Sequence, residues 1–242
     1  MMKKFSLIKS TLNHDLCTIK AIKHIQMADI IIADEHTDPK LFHYASEKCT
    51  IIPYKPEKTI LSFPHIARVV RLTEEISSTH QSELDEMELF RNLGYDAELI
   101  PGISMVNGIT GENYFPLTIR GRNESFWVYD SRMICTNKKE KYRQLAYVAE
   151  SNATLIILTD LSLNLEEQIK SLITTVSLYR CLETPVLCCQ VTSEVTHTTI
   201  KDLMHHASKN ERTYMLVINP SIATTKRTLS NITSIPQTQM AI

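Results

Sequence analysis

Ala28-Asp29-Ile30-Ile31-Ile32-Ala33 is the stretch that decides the fold. Three consecutive isoleucines followed by alanine make a β-branched apolar run of strand length. That is the pattern of a strand covered on both faces, and so of a parallel sheet. Upstream, Phe5-Ser6-Leu7-Ile8 reads as a short first strand, and Asp15 as the N-cap of a helix carrying Leu16, Ile19, Ile22, Ile25 and Met27 at helical spacing. Downstream, Asp38-Pro39 opens a short helix with proline at its tolerated first position. Residues 50–52 and 67–72 read as strands, 83–93 as a helix closed by Gly94, and 97–100 as a strand entering Pro101-Gly102.

The alternation restarts after Pro116, with strands expected at 125–129, 154–158, 185–190 and 214–218 and helices at 138–150, 165–172 and 200–207. Strands alternating with helices predict α/β architecture with parallel sheet. The expected organisation is an N-terminal α/β domain over 1–116, a C-terminal α/β domain over 117–223, and a flexible tail over 224–242. That tail is rich in Ser, Thr, Gln and Pro and shows no periodicity.

Composition narrows the function classes. The 242 residues are 43% hydrophobic and 22% charged, with Lys plus Arg at 26 against 27 for Asp plus Glu. A net charge of -1 argues against a nucleic-acid or membrane partner held by bulk electrostatics. No apolar run approaches the roughly 20 residues of a membrane helix. The start, Met1-Met2-Lys3-Lys4-Phe5, has no apolar stretch or cleavage signal behind it, so the expected location is cytoplasmic. The 6 cysteines form no C-x-x-C pair and read as buried free thiols, and no metal site is expected. His205-His206 reads as a solvated helix face.

Glycine is the anomaly. Only 5 residues are glycine, against roughly 7% in an average chain, and all lie between Gly94 and Gly121. Glycine lets backbone curl closely around a phosphate or nucleoside. An α/β chain almost without it has kept a scaffold and lost part of a ligand cradle.

Several stretches, in order, resemble the tetrapyrrole methylases. They are 15–22 with 28–34, then Ile100-Pro101-Gly102-Ile103-Ser104, then Pro116-Leu117-Thr118-Ile119-Arg120-Gly121 with Asn123-Glu124-Ser125-Phe126-Trp127. The last of these is similar to the domain junction of uroporphyrinogen-III C-methyltransferases. The resemblance implies two α/β domains, a homodimer, S-adenosylmethionine in the cleft between domains, and methylation of a reduced tetrapyrrole carbon on the way to sirohaem or cobalamin. Residue by residue, it assigns Asp34 and Lys55 to catalysis at the tetrapyrrole. It assigns Pro101, Gly102, Ser104, Thr118, Arg120, Gly121 and Ser125 to the central loop and junction that meet the cofactor. Each also has a structural reading. Asp34 would cap a turn, Lys55 would be a solvated side chain, and Pro101-Gly102 would serve a turn. Arg120 would hold the junction through carbonyls, and Trp127 would belong to the core or an interface.

The departures fall on the donor loops. The family's Gly-x-Gly-Pro-Gly-Asp maps onto Ile8-Lys9-Ser10-Thr11-Leu12-Asn13, without a single glycine. Its Gly-Gly-Asp-Pro loop maps onto Glu74 to Ser77 and finds no match, its Met-Gly contact appears as Thr159-Asp160, and a glycine turn near Thr192-Ser193 is absent. The segment 55–68 is shorter than the family's. These changes predict loops on a different path and side chains in the volume of the nucleoside. Three readings stay open at this point: a degenerate methylase that still holds a tetrapyrrole or regulates a paralogue, an active C-methyltransferase with rebuilt loops, and an interaction module using only its dimer surface.

Overall fold

The structure is a computed structural model that describes residues 3–10, 13–34, 37–54, 67–74, 81–130, 138–151, 153–159, 164–190, 194–207 and 213–218. Lys55, Asp160, Thr192-Ser193 and the 224–242 tail lie outside them. The chain divides into two compact units, Met1–Glu112 and Asn113–Ile242.

The N-terminal unit is built on five parallel strands: β1 (Lys4–Ser10), β2 (Ile30–Ala33), β3 (Thr50–Pro53), β4 (Arg68–Glu74) and β5 (Asp96–Ile100). Their order is β3-β2-β4-β1-β5. Three helices accompany them, α1 (Ile19–Gln26), α2 (Gln81–Asn92) and α3 (Met105–Glu112). The isoleucine run behaves as its composition requires, since all four residues of β2 are buried. Ile31 and Ala33 pack with Ile25 of α1 and Leu41. Ile30 and Ile32 pack on the other face with Met87 and Phe90 of α2. Phe90 stacks on Phe5 at 3.7 Å and meets Tyr95 edge-on at 5.3 Å.

Several local expectations are corrected. Asp15 does not cap α1, because residues 14–16 form a 3-10 turn and Thr18 caps the helix, its Oγ1 accepting from the Ala21 amide at 3.2 Å. β1 runs two residues past Ile8, and β4 reaches Glu74. Helix α3 lies where none was expected; its Gly108 and Gly111 weaken helix propensity and hid the pattern. Asp38 does cap the turn opened by Pro39, and Gly94 does close α2 with φ of 83°.

The C-terminal unit carries β6 (Phe126–Asp130), β7 (Thr154–Leu158), β8 (Pro185–Gln190), β9 (Val195–Thr199) and β10 (Thr213–Ile218), with helices α4 (Lys138–Glu150), α5 (Leu165–Val176) and α6 (Leu203–Ala207). Its order is β6-β7-β10-β8-β9. The parallel expectation fails here: only β6 and β7 run parallel, while β10 is antiparallel to both neighbours and β8 to β9. Strand β9 is Val195-Thr-His-Thr-Thr, a half-exposed polar edge with no apolar run to betray it. The helix expected at 200–207 is confined to 203–207. Trp127 is not core, being 46% exposed. Nor are the cysteines uniformly buried. Cys188 and Cys189 are, with burial pushing both thiols up to about 12, whereas Cys17 and Cys49 are half-buried and Cys181 is exposed.

Candidate functional site

In parallel α/β sheets, ligands sit beyond the carboxyl ends of the strands, where the chain reverses its direction of winding. In the N-terminal unit that reversal falls between β1 and β4. From β1 the chain moves outward through α1 to β2 and β3, whereas from β4 it crosses to β5 through α2 on the opposite face.

Along the α2 face, residues alternate with strand period two. Phe5 and Leu7 lead to Lys9 in β1, Val69 leads to Arg71 and Thr73 in β4, and Ile30 and Ile32 lead to Asp34 after β2. The apolar floor thus turns ionic at the strand ends. Helix α2 follows suit: Met87 and Phe90 cover the apolar part, while Glu83 and Glu86, one turn nearer its start, cover the charged part.

Two ionic groups result. Lys9 Nζ lies 2.6 Å from Glu83 Oε1, with the two side chains only 1% and 9% exposed. Thr73 Oγ1 also donates to Glu83 Oε1, at 3.3 Å. Arg71, equally buried, places Nη2 at 2.5 Å from Asp34 Oδ1, donates Nη1 to the Leu72 carbonyl, and lies 3.7 Å over the Tyr54 ring. Its Nε stands 3.5 Å from Glu86 Oε1 without an aligned hydrogen bond. Burial pushes the Glu86 carboxyl up, against the pull of Arg71 and with help from Asp34 and Glu83. It pushes the Tyr54 phenol up as well.

Two buried polar atoms near Asp34 have no hydrogen-bond partner, Arg71 Nε and Thr37 Oγ1. Thr37 donates its backbone N–H to the Asp34 carbonyl at 3.1 Å. Buried polar atoms are rarely left unpaired except where water or a ligand completes them. The Asp34 side chain itself remains 24% exposed.

The glycine-loop strand ends are straight. Ile8, Lys9 and Ser10 pair in register with Leu72, Thr73 and Glu74, and Ser10 Oγ donates to the Thr73 carbonyl at 3.2 Å. Ser10 is buried. No backbone strain accompanies this, since among the described residues Tyr114 is the only non-glycine at positive φ.

The other expected site residues separate into two sets. Pro101, Gly102 and Ser104 follow β5. A Cβ on Gly102 would lie 2.0 Å from the Lys9 carbonyl oxygen, so glycine is demanded by close approach and not by φ. Ser104 caps α3, its Oγ accepting from the Asn107 amide at 3.3 Å. Thr118, Arg120, Gly121 and Ser125 belong to the C-terminal unit and are exposed. There Ile119 and Asn123 bridge a tight turn in which Gly121 takes φ of 76° and its amide donates to Glu124 Oε1. Buried Asn123 holds the turn, donating to the Leu117 carbonyl at 3.0 Å and to Thr154 Oγ1 at 2.7 Å. Lys9, Thr73, Glu83 and Glu86 were missed in the sequence. The available signal was a charge on the same strand face as Phe5 and Leu7. Among the described residues, no cluster of three or more His, Cys, Asp or Glu could hold a metal, and no helix is long and apolar enough to cross a membrane.

Comparison with known proteins fits this geometry. Siroheme synthase 2 of Aeromonas hydrophila is 23% identical over 231 residues, covering 88% of this chain and 47% of that protein. The chain therefore spans about half the length of the curated relative it matches. The cobalamin biosynthetic enzyme cobalt precorrin-4 methyltransferase superposes with a TM-score of 0.73 at 17% identity, covering 89% of this chain and 94% of that one. Uroporphyrin-III C-methyltransferase from Thermus thermophilus, complexed with S-adenyl homocysteine, gives 0.69 at 18% identity, with 91% and 99% covered. At such identities the structural likeness speaks for the fold. The family model for tetrapyrrole (corrin/porphyrin) methylases matches residues 12–204, most of the chain. This chain belongs to the tetrapyrrole methylase family.

Proposed function

We propose that this chain is a tetrapyrrole-binding member of its family that no longer uses S-adenosylmethionine, and that it works as a cytoplasmic homodimer. The observation that carries the reading is the straight pairing of Ile8-Lys9-Ser10 with Leu72-Thr73-Glu74, sealed by the Ser10 hydroxyl on the Thr73 carbonyl. Where the family pattern has glycines, this chain has side chains on two extended strand ends. The residues present do not fit the cofactor, and no methyl-transfer step is derived through it.

The tetrapyrrole half of the reading rests on Asp34. It is partly open to solvent and held by Arg71, whose Nε, like Thr37 Oγ1, has no hydrogen-bond partner. Homodimerisation is supported by Phe126, Trp127 and Val128, which are exposed along β6, a strand whose only neighbour among the described residues is β7. Free thiols at all five described cysteines suit a reducing compartment.

Two titrations test the reading. A ligand at a hundred times its dissociation constant adds about 2.7 kcal/mol of stability, equivalent to a melting shift of roughly 5–10 °C for a chain of this size. Millimolar S-adenosylmethionine is expected to give no shift. A porphyrin such as uroporphyrin III is expected to quench Trp127, the single tryptophan, in a saturable way. A cofactor shift of the stated size would restore the reading as an active C-methyltransferase. Absence of saturable quenching would leave an interaction module instead.

A further inference from the structure

Strand β6 is an edge of its sheet and carries Trp127 and Tyr129 two positions apart, on one face of the strand. Tyr129 is buried in the cluster that holds Leu145 and Val148 of α4. Trp127 shares that face, yet its ring is 46% exposed. On α4, Arg143 and Tyr147 are one turn apart and share a face, and Tyr147 is 71% exposed. These residues line a groove of about 580 Å³ between the edge strand and the helix. That volume falls within the roughly 300–1,000 Å³ of small-molecule sites, which pair aromatic walls with a few polar groups.

The lining also sets the ligand's chemistry. Among the described residues that line the groove, Arg143 is the only charged one, so a charged ligand there is an anion. A guanidinium recognises a carboxylate with two parallel hydrogen bonds, and the rings of Trp127 and Tyr147 favour a flat aromatic body. The groove on the other flank of α4, also reached by Arg143, carries Glu167 and Lys170 and no aromatic residue, and makes no such demand. We propose that the groove between β6 and α4 binds a flat aromatic acid, with its ring against Trp127 and Tyr147 and its carboxylate on Arg143. The groove belongs to the C-terminal unit and Asp34 to the N-terminal one, so this site stands independently of the functional reading above. Phe126, exposed on the same strand, does not line the groove and is left to the subunit contact.

The test titrates the wild-type chain with pyrenecarboxylate and with its uncharged analogue pyrenemethanol at low ionic strength. Binding is followed by loss of emission from Trp127, the single tryptophan. Saturable quenching is expected, with the acid bound at least about tenfold more tightly than the alcohol. R143Q is expected to abolish that preference and R143K to restore part of it, while Y147A weakens both ligands several-fold. Circular dichroism checks that each variant is folded, and the acid-to-alcohol ratio in wild type needs no variant at all. Absence of saturable quenching would overturn the proposal, as would equal affinity for the two ligands or an R143Q chain that keeps the preference. The same titration is repeated at rising protein concentration beside sedimentation. Affinity that falls as the protein dimerises would make the groove a subunit contact and refute the ligand site.

Discussion

Replacing Gly102 with alanine tests the packing at the strand ends. A Cβ at this position would sit 2.0 Å from the Lys9 carbonyl oxygen and 2.9 Å from its carbonyl carbon. Real Cβ contacts essentially never fall below 3.0 Å, so the oxygen is about an ångström too close. Neither side yields easily. Lys9 is locked in register with Thr73 and ion-paired to Glu83. Gly102 lies between fully buried Ile100 and Ser104, which caps α3. Overpacking of well-ordered interiors costs about 1–3 kcal/mol and occasionally more, and a clash with backbone belongs at the upper end. About 3 kcal/mol lowers the melting temperature of a chain this size by roughly 6–12 °C. Thermal denaturation by circular dichroism measures it. A G102A variant melting within about 2 °C of wild type would refute the close approach, and with it the claim that Gly102 serves architecture irrespective of any cofactor.

Three further outcomes follow from other parts of the fold. T18A removes the α1 cap and is expected to cost about 1 kcal/mol, read as a small drop in the denaturation midpoint; no change would return the cap to Asp15. Arg180 donates Nε to the Ala149 carbonyl at 2.6 Å and Nη2 to those of Ser151 and Ala153, tying the end of α4 to the start of β7. R180A strands three carbonyls and is expected to cost about 2–3 kcal/mol, while R180K recovers only part; equal stability of R180K and wild type would contradict the fork. Glu98 is pushed up by burial but pulled further down by Lys20 and Lys4, to about 2. A carboxyl with a depressed folded value contributes stability that is whole above its ordinary value and is lost as pH falls through the folded one. The loss is therefore expected between about pH 4.5 and 2, and E98Q should flatten that limb of an acid-denaturation curve. An unchanged acid limb would sink the assignment.

Much of the fold was legible because burial writes itself into composition. The isoleucine run of β2 and the Gly94 stop of α2 follow from local rules that no tertiary contact overrides. Where two signals competed, the nearer one misled: Asp15 and Thr18 are both good caps, and only the 3-10 turn at 14–16 decides between them. Strand β9 escaped because an edge of Thr and His carries no core pattern, and α3 because two glycines interrupt it. The direction of β8, β9 and β10 is a matter of topology that periodicity does not encode. At the site, the missing glycines announced a changed cradle, but not what fills it. A lysine at the end of a strand reads as solvated until Glu83 is placed over it by α2. The role of Asp34 was open between chemistry and capping a turn, whereas Ser104 was assigned to the cofactor loop by resemblance. Ser104 has a cap to explain it, whereas Asp34 is held by Arg71 beside buried polar atoms that still want partners.

Isothermal titration of the purified wild-type chain with S-adenosylhomocysteine tests the central claim most directly. The closed strand ends predict no saturable heat up to about 1 mM ligand. A single-site isotherm with a dissociation constant near or below about 1 μM would contradict the account.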